Sequence, residues 1–231
     1  MIAMTNYLRE APWDRRNFGM DTYEVTSPEE EALKETDETP GHFTLKVDPM
    51  VNKEPILEHG FFYADTLITP VCKKDQLVTF SENQFGITRD GSFDTIVSFS
   101  EGAFKMGRYH RDFHVKTETA EQRYINWLRD LYEAGQVMFL TYEGEIAAYY
   151  AYQDNSILLI GMDEKLRGKG LAKPLVSKAC EVLFSYGHEE LKTSVSAINF
   201  PSMQMFYSLG FKMKRAVDVY HKWNADVSDG V

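Results

Sequence analysis

The stretch from Ser156 to Ala172, SILLIGMDEKLRGKGLA, constrains this chain more than any other. It begins with an apolar run, Ile157 to Met162, of the kind a buried strand makes. A few polar residues follow, and Arg167-Gly168-Lys169-Gly170-Leu171-Ala172 then opens an amphipathic helix with Leu171, Leu175, Ala179, Val182 and Leu183 on one side. Two glycines let backbone approach a ligand closely, and amides at a helix start have no partners within the helix. The positive end of the helix dipole makes such a turn suited to a phosphate, with Arg167 and Lys169 supplying mobile charge beside it. Taken alone, the turn fits a plain helix cap equally well.

The 231 residues suit one large domain or two small ones. At 43% hydrophobic and 26% charged, the composition is that of a soluble globular protein. No run of residues is long and apolar enough to span a membrane, and the N-terminus turns polar too early for a secretory signal. The expected compartment is cytoplasmic. Two cysteines, Cys72 and Cys180, offer neither a disulfide framework nor a tetrahedral zinc site, so no metal is expected. A net charge of −10 excludes a sequence-independent nucleic-acid binder, which needs a basic face. The acidic cluster Glu29 to Glu38 is expected to be a solvated helix face.

In chain order, residues 11–19 (APWDRRNFG) suggest a compact loop feeding a strand, Met20 to Val25. Ser27-Pro28-Glu29-Glu30 predicts a helix from Pro28 to about Lys34. Phe43, Leu45 and Val47 alternate as in a half-buried strand, and further elements are expected at Glu54–Glu58 and Phe61–Pro70. These imply a small α/β domain over residues 1–80, followed by a second domain over 81–231. The second domain should contain a short strand at Phe85–Thr88, a helix from Ser92 to about Phe104, and a polar loop, KMGRYHRDFHVKT. A helix follows from Thr119 to Glu133, with Tyr124, Trp127, Leu128 and Leu131 on one face. Beyond it lie a hairpin (Val137–Tyr142, Glu145–Tyr152), the strand and helix of the opening stretch, a strand at Leu191–Ala197, a helix at Pro201–Leu209 and a last strand at Phe211–Trp223. Residues 224–231 are expected to fray.

Arg167, Gly170 and Ala172 occupy the fixed positions of Arg/Gln-x-x-Gly-x-Gly/Ala, and NFPSMQMFYSLGF supplies Asn199, Gly210 and Phe211 further on. Together these motifs resemble the acetyl-CoA signature of the GCN5-related N-acetyltransferases (GNAT). The resemblance implies an α/β (α+β) fold with a central mixed, mostly antiparallel sheet, and acetyl-CoA as co-substrate. It assigns Ile160, Met162, Arg167, Gly168, Lys169, Gly170, Leu171, Ala172, Asn199 and Phe206 to the cofactor. Trp13, Asp14, Phe18 and Gly19, with Arg108, Tyr109 and Asp112, are similar to a narrower group, the sugar-nucleotide N-acetyltransferases related to dTDP-fucosamine acetyltransferase. Asn17 stands where that group has a Phe.

The narrower likeness implies an amino-sugar acceptor, nucleotide-linked, met by Arg108, Tyr109, Arg111 and His114. A guanidinium suits a phosphate and Tyr109 suits stacking, although an ordinary polar loop would also look like this. His110 or His114 could act as general base, but a lone histidine is more often structural or solvated. The strand Ile157–Gly161 has no Glu, so a water chain is the other route for deprotonation. Phe206 stands four residues before Gly210, where the family places a Tyr that protonates the departing thiolate. Tyr207, or a cleft tyrosine such as Tyr149 or Tyr150, is the replacement candidate, and Asn199 completes the expected catalytic set. The resemblance also leaves room for another amine as acceptor, for a binder without turnover, and for a homodimer.

Overall fold

A computed structural model describes residues 7–224. In chain order its elements are β1 (Leu8–Glu10), α1 (Pro12–Phe18), β2 (Thr22–Val25), α2 (Glu30–Glu38), β3 (Gly41–Val47), α3 (Glu54–Glu58), β4 (Phe62–Lys73), β5 (Phe85–Thr88), α4 (Phe93–Ser100), α5 (Arg108–Arg111) and α6 (Thr117–Glu133). There follow β6 (Val137–Tyr142), β7 (Glu145–Gln153), β8 (Ser156–Met162), α7 (Ala172–Ser185), β9 (Glu190–Thr193), β10 (Val195–Ser196), α8 (Phe200–Ser208) and β11 (Lys212–Asn224). Among the described residues no helix is long and apolar enough to cross a membrane.

Contacts divide these elements into two units. Unit 1 holds residues 7–67, 107–123 and 216–224, and unit 2 holds residues 68–106 and 124–215. The expected boundary between residues 80 and 81 does not follow this grouping. β4 runs on to Lys73 without a break, and both it and β11 contribute residues to each unit.

In unit 1 the strand order is β1-β2-β3-β11. β2 pairs parallel to β3, and β11 pairs antiparallel to β3 from Asp218↔Val47 to Asn224↔Gly41. One face of β3 presents Phe43, Leu45 and Val47 to an apolar core with Leu8, Val25, Leu33, Ile56 and Tyr220. The other face carries His42 and Thr44, which are buried too, so β3 is covered on both sides where a half-buried strand was expected.

The stretch expected to be a loop at residues 11–19 is instead the helix α1. Pro12 sits in its first turn, and Gly19 closes it in the left-handed conformation at φ 70°. α2 starts two residues later than expected because the Ser27 hydroxyl accepts the Glu29 N–H in a local turn. Asn224, assigned above to a fraying tail, ends β11 with its side-chain amide donating to the carbonyls of Thr36, Asp37 and Thr39. Residues 225–231 lie outside the described residues.

In unit 2 the order is β4-β9-β8-β7-β6-β5, antiparallel except for the parallel β8–β9 pair. Alternation on β6 and β7 splits the core in two. Met138, Leu140, Ala148 and Tyr150 face α7, while Phe139, Tyr149 and Leu159 pack with Ile96, Phe99, Leu128 and Leu131 of α4 and α6. α4 ends at Ser100, earlier than expected. The Ser100 hydroxyl donates back to Ile96 at 2.6 Å, and Gly102 follows at φ 65°.

Candidate active site

β8 pairs with β9 only at Ser156↔Lys192 and Ile157↔Thr193, whereas its pairing with β7 runs to Met162. From Leu158 onward the β9 side of β8 is therefore an open edge with unused backbone donors and acceptors. Beyond Met162 the chain turns at Asp163, whose carboxylate accepts the Lys165 N–H at 2.9 Å. It then reaches Gly168 at φ 75° and Gly170 at φ 78°. Nothing lies within 4 Å of a Cβ built at either glycine, so a side chain there meets backbone strain and not a clash. α7 starts at Ala172, and among the described residues no side chain caps it.

A cleft of about 270 Å³ lies at this end of β8. Of the residues expected to hold the cofactor, Ile160, Met162, Arg167 and Ala172 line it together. Gly168, Lys169, Gly170 and Leu171 form the turn between Arg167 and α7. Arg167 is not the mobile charge that was expected. Its Nε donates to the Met162 carbonyl at 3.1 Å and its Nη2 to the Phe99 carbonyl at 3.2 Å, tying the end of β8 to the end of α4. Sequence reasoning missed Gly102, Ala103, Leu140, Ala148, Gly161, Leu175 and Val176, which complete the lining. The cross-strand pair Leu140↔Ala148 was a signal only in retrospect, because it depends on the hairpin register. Among the lining residues Arg167 is the one charged side chain, and none is a carboxylate, histidine or tyrosine.

The remaining candidates of unit 2 lie elsewhere. The Asn199 side chain caps α8 by accepting the Ser202 N–H at 3.2 Å. Phe206 is buried edge-on against Phe211, with ring centroids 5.0 Å apart, while Tyr207 is 71% exposed. Tyr149 and Tyr150 are fully buried and are not among the residues that line the cleft. Ser100 donates to Ile96, so it receives the Tyr149 hydroxyl, at 2.7 Å; the Tyr150 hydroxyl lies 3.6 Å from the Cys180 sulfur. Burial pushes both phenols up, and it pushes the Cys180 thiol up to about 12.

The acceptor candidates all fall in unit 1. Tyr109 is buried, with the guanidiniums of Arg108 (4.7 Å) and Arg123 (4.1 Å) over its ring, and donates to Asp14 at 3.2 Å. Asp14 takes two further bonds from Arg123, at 2.6 and 3.1 Å. Arg111 is committed to Asp65 and to the Ala64 carbonyl, each at 2.6 Å. His110 is half-buried on α5 and His114 is exposed, stacked between Phe62 and Phe113.

Asp112 anchors the layer. It accepts from His221 Nδ1 at 2.7 Å, Trp223 Nε1 at 3.0 Å and the His114 N–H at 3.0 Å. Burial alone would raise its carboxyl, but these donors outweigh burial and hold it down at about 2. The two short motifs thus meet. Asp14 and Phe18 of the first pack on Tyr109 of the second, and Phe18 also touches His42 and Trp223.

Residues 105–211 match the model of the Acetyltransferase (GNAT) family. A GCN5-related N-acetyltransferase from Sphaerobacter thermophilus superposes with a TM-score of 0.53 at 14% identity, covering 84% of this chain and 65% of that one. The fold is a GNAT fold. Mycothiol acetyltransferase from Corynebacterium glutamicum is 29% identical over 40% of this chain and 34% of its own length. The spore coat polysaccharide biosynthesis protein SpsD from Bacillus subtilis is 20% identical over 61% of this chain and 50% of its own. The chain therefore spans between a third and a half of these two curated relatives. In this GNAT fold the open end of β8 and the start of α7 border one cleft, and the two-glycine turn joins them.

Proposed function

We propose that this chain is an acetyl-CoA-dependent N-acetyltransferase acting on the amine of an acidic small molecule, a nucleotide-linked amino sugar. The observation that carries the acetyl-CoA part is the free edge of β8, which leads directly into two left-handed glycines and an uncapped helix. Acetyl-CoA would supply an activated acyl group as a thioester. The edge of β8 from Leu158 to Met162 offers amide and carbonyl groups to a pantetheine arm, and the amides of Gly168 to Ala172 suit its pyrophosphate. Arg167 fixes the carbonyl end of β8, which keeps that edge in place. Apolar walls from Leu140, Ala148, Leu175 and Val176 exclude water and strengthen polar contacts inside.

The acceptor class is supported by the motifs around Asp14 and Tyr109, and by the polysaccharide-biosynthesis relative. Arg108 is the residue we assign to its acidic group. The cleft lining lacks a titratable base, which favours deprotonation through water, and it also favours a second reading: a protein that binds acyl-CoA without turnover. Thiol release from acetyl-CoA, measured with a panel of amino sugars, sugar nucleotides, polyamines and peptides, tests both readings. Turnover with a sugar nucleotide, at an acceptor KM raised roughly tenfold or more by Arg108→Ala, is the expected result, since a charge-assisted pair is worth about 1.5–3 kcal/mol. Turnover confined to uncharged or cationic amines refutes the acceptor class, and acetyl-CoA binding without release under any amine supports the second reading.

A further inference from the structure

His42 on β3, Asp112 just after α5 and His221 on β11 are far apart in sequence, yet in unit 1 each places one donor atom within 4.8 Å of the others. All three side chains are almost wholly buried, at 1%, 2% and 0% exposure. The register explains the two histidines. His42 stands opposite Trp223 and Thr44 opposite His221, so both imidazoles project from the same face of the β3–β11 ladder. Asp112 accepts the Nδ1–H of His221 at 2.7 Å, which leaves the lone pair of His221 on Nε2. Among the described residues that Nε2 is buried without a hydrogen-bond partner, and so is Nε2 of His42. Two orphaned imidazole nitrogens in one buried cluster are costly, and each calls for a partner.

A carboxylate holding one nitrogen of an imidazole while the other faces inward is the usual support of a histidine that binds a metal. We propose that unit 1 holds a divalent ion of the zinc class, bound through Nε2 of His42 and of His221, with Asp112 fixing the ring of His221 and balancing the charge. Two guanidiniums stand near. Arg123 is neutralised by Asp14, but among the described residues Arg108 has no carboxylate partner, so the site disfavours hard cations and selects an ion that bonds strongly to imidazole. Such an ion would join three chain segments and stabilise the layer they form.

The test uses the full chain, stripped with a chelator, equilibrated with zinc and desalted. Elemental analysis should find about one zinc per chain, and Tm should rise with zinc. His42→Gln and His221→Gln should each lose the ion and the Tm response, while His188→Gln, away from the cluster, should keep both. Fewer than about 0.1 zinc per wild-type chain, or equal zinc in both glutamine variants, would overturn the proposal and leave a single buried water as the occupant. Should those variants fail to fold, cobalt in the wild-type chain decides. Intense visible bands of a four-coordinate site support the assignment, and a weak octahedral spectrum or no binding overturns it.

Discussion

The cleft of unit 2 is bordered by a strand edge, a helix start and apolar side chains, with two left-handed glycines in the turn between strand and helix and Arg167 bonded to backbone carbonyls. The polar centre of unit 1 is built the other way. Asp14 bonds Arg123 and Tyr109, Asp112 bonds His221, and His42 packs edge-on against His221, so the layer is built from buried side chains and backbone takes little part. A site made of backbone tolerates many substitutions at its walls and fails when its few special dihedrals are lost. A site made of interlocked side chains fails as a network when one member is removed.

The largest effect should come from breaking the network. Asp14→Ala removes the carboxylate that pairs with Arg123 and accepts from Tyr109 inside unit 1. Removing one partner of a buried ion pair costs about 3–5 kcal/mol, because the remaining charge keeps its desolvation penalty. Urea unfolding should show that loss, with Asp14→Asn intermediate since it keeps some of the acceptor geometry. A loss below about 1 kcal/mol would mean that the pair behaves like an exposed one and that the contrast between the units is overstated.

The next effect belongs to the backbone-built site and should separate binding from stability. Gly170→Val forces a β-branched residue to φ 78°, a strain of about 1–2 kcal/mol, with open space around the new side chain. The fold should survive, while calorimetry should show acetyl-CoA affinity falling about tenfold or more as the turn relaxes toward negative φ. Unchanged affinity would mean that the turn amides do not carry the pyrophosphate.

This contrast also explains what could be read in advance. The strand–turn–helix of residues 156–172 was legible because glycine spacing is a local signal for backbone geometry, and β5, β6 and α3 fell where patterning placed them. Burial of His42 and His221 was not legible, since it depends on the pairing of β3 with a strand some 180 residues later. Alternation correctly marked Phe43, Leu45 and Val47 as one buried face, but it could not say that a polar layer covers the other. α1 was missed because WDRRNF lacks an apolar stripe, and its helix rests on Pro12, Gly19 and the bonds of Asp14. Arg108, Tyr109 and Arg111 looked like one ligand-reading group, whereas Tyr109 and Arg111 are committed to Asp14, Asp65 and Ala64.

The smallest effect should come from Tyr207→Phe, and it bears on how little side-chain chemistry the cleft needs. Tyr207 follows Phe206 on α8, and adjacent residues on a helix point about 100° apart. Phe206 occupies the inward direction, packed on Phe211, while Tyr207 is 71% exposed. An exposed phenol keeps its water shell and is poorly placed to deliver a proton inside a cleft bounded by Leu140, Ala148 and Val176. The departing group of a thioester is a thiolate of pKa about 8.5, stable enough to leave without a positioned acid. A well-placed acid contributes about 10²–10⁴-fold, so its absence would be plain in kcat. Tyr207→Phe should therefore change kcat less than about tenfold on the true acceptor, or under about 1.4 kcal/mol. Phe206→Tyr should not raise kcat, because its new hydroxyl would enter an apolar layer at a desolvation cost of about 1–3 kcal/mol. A hundredfold loss in Tyr207→Phe, with an altered basic limb of the pH profile, would instead make Tyr207 the acid. It would also show that the backbone-built cleft borrows one essential side chain from the face of α8.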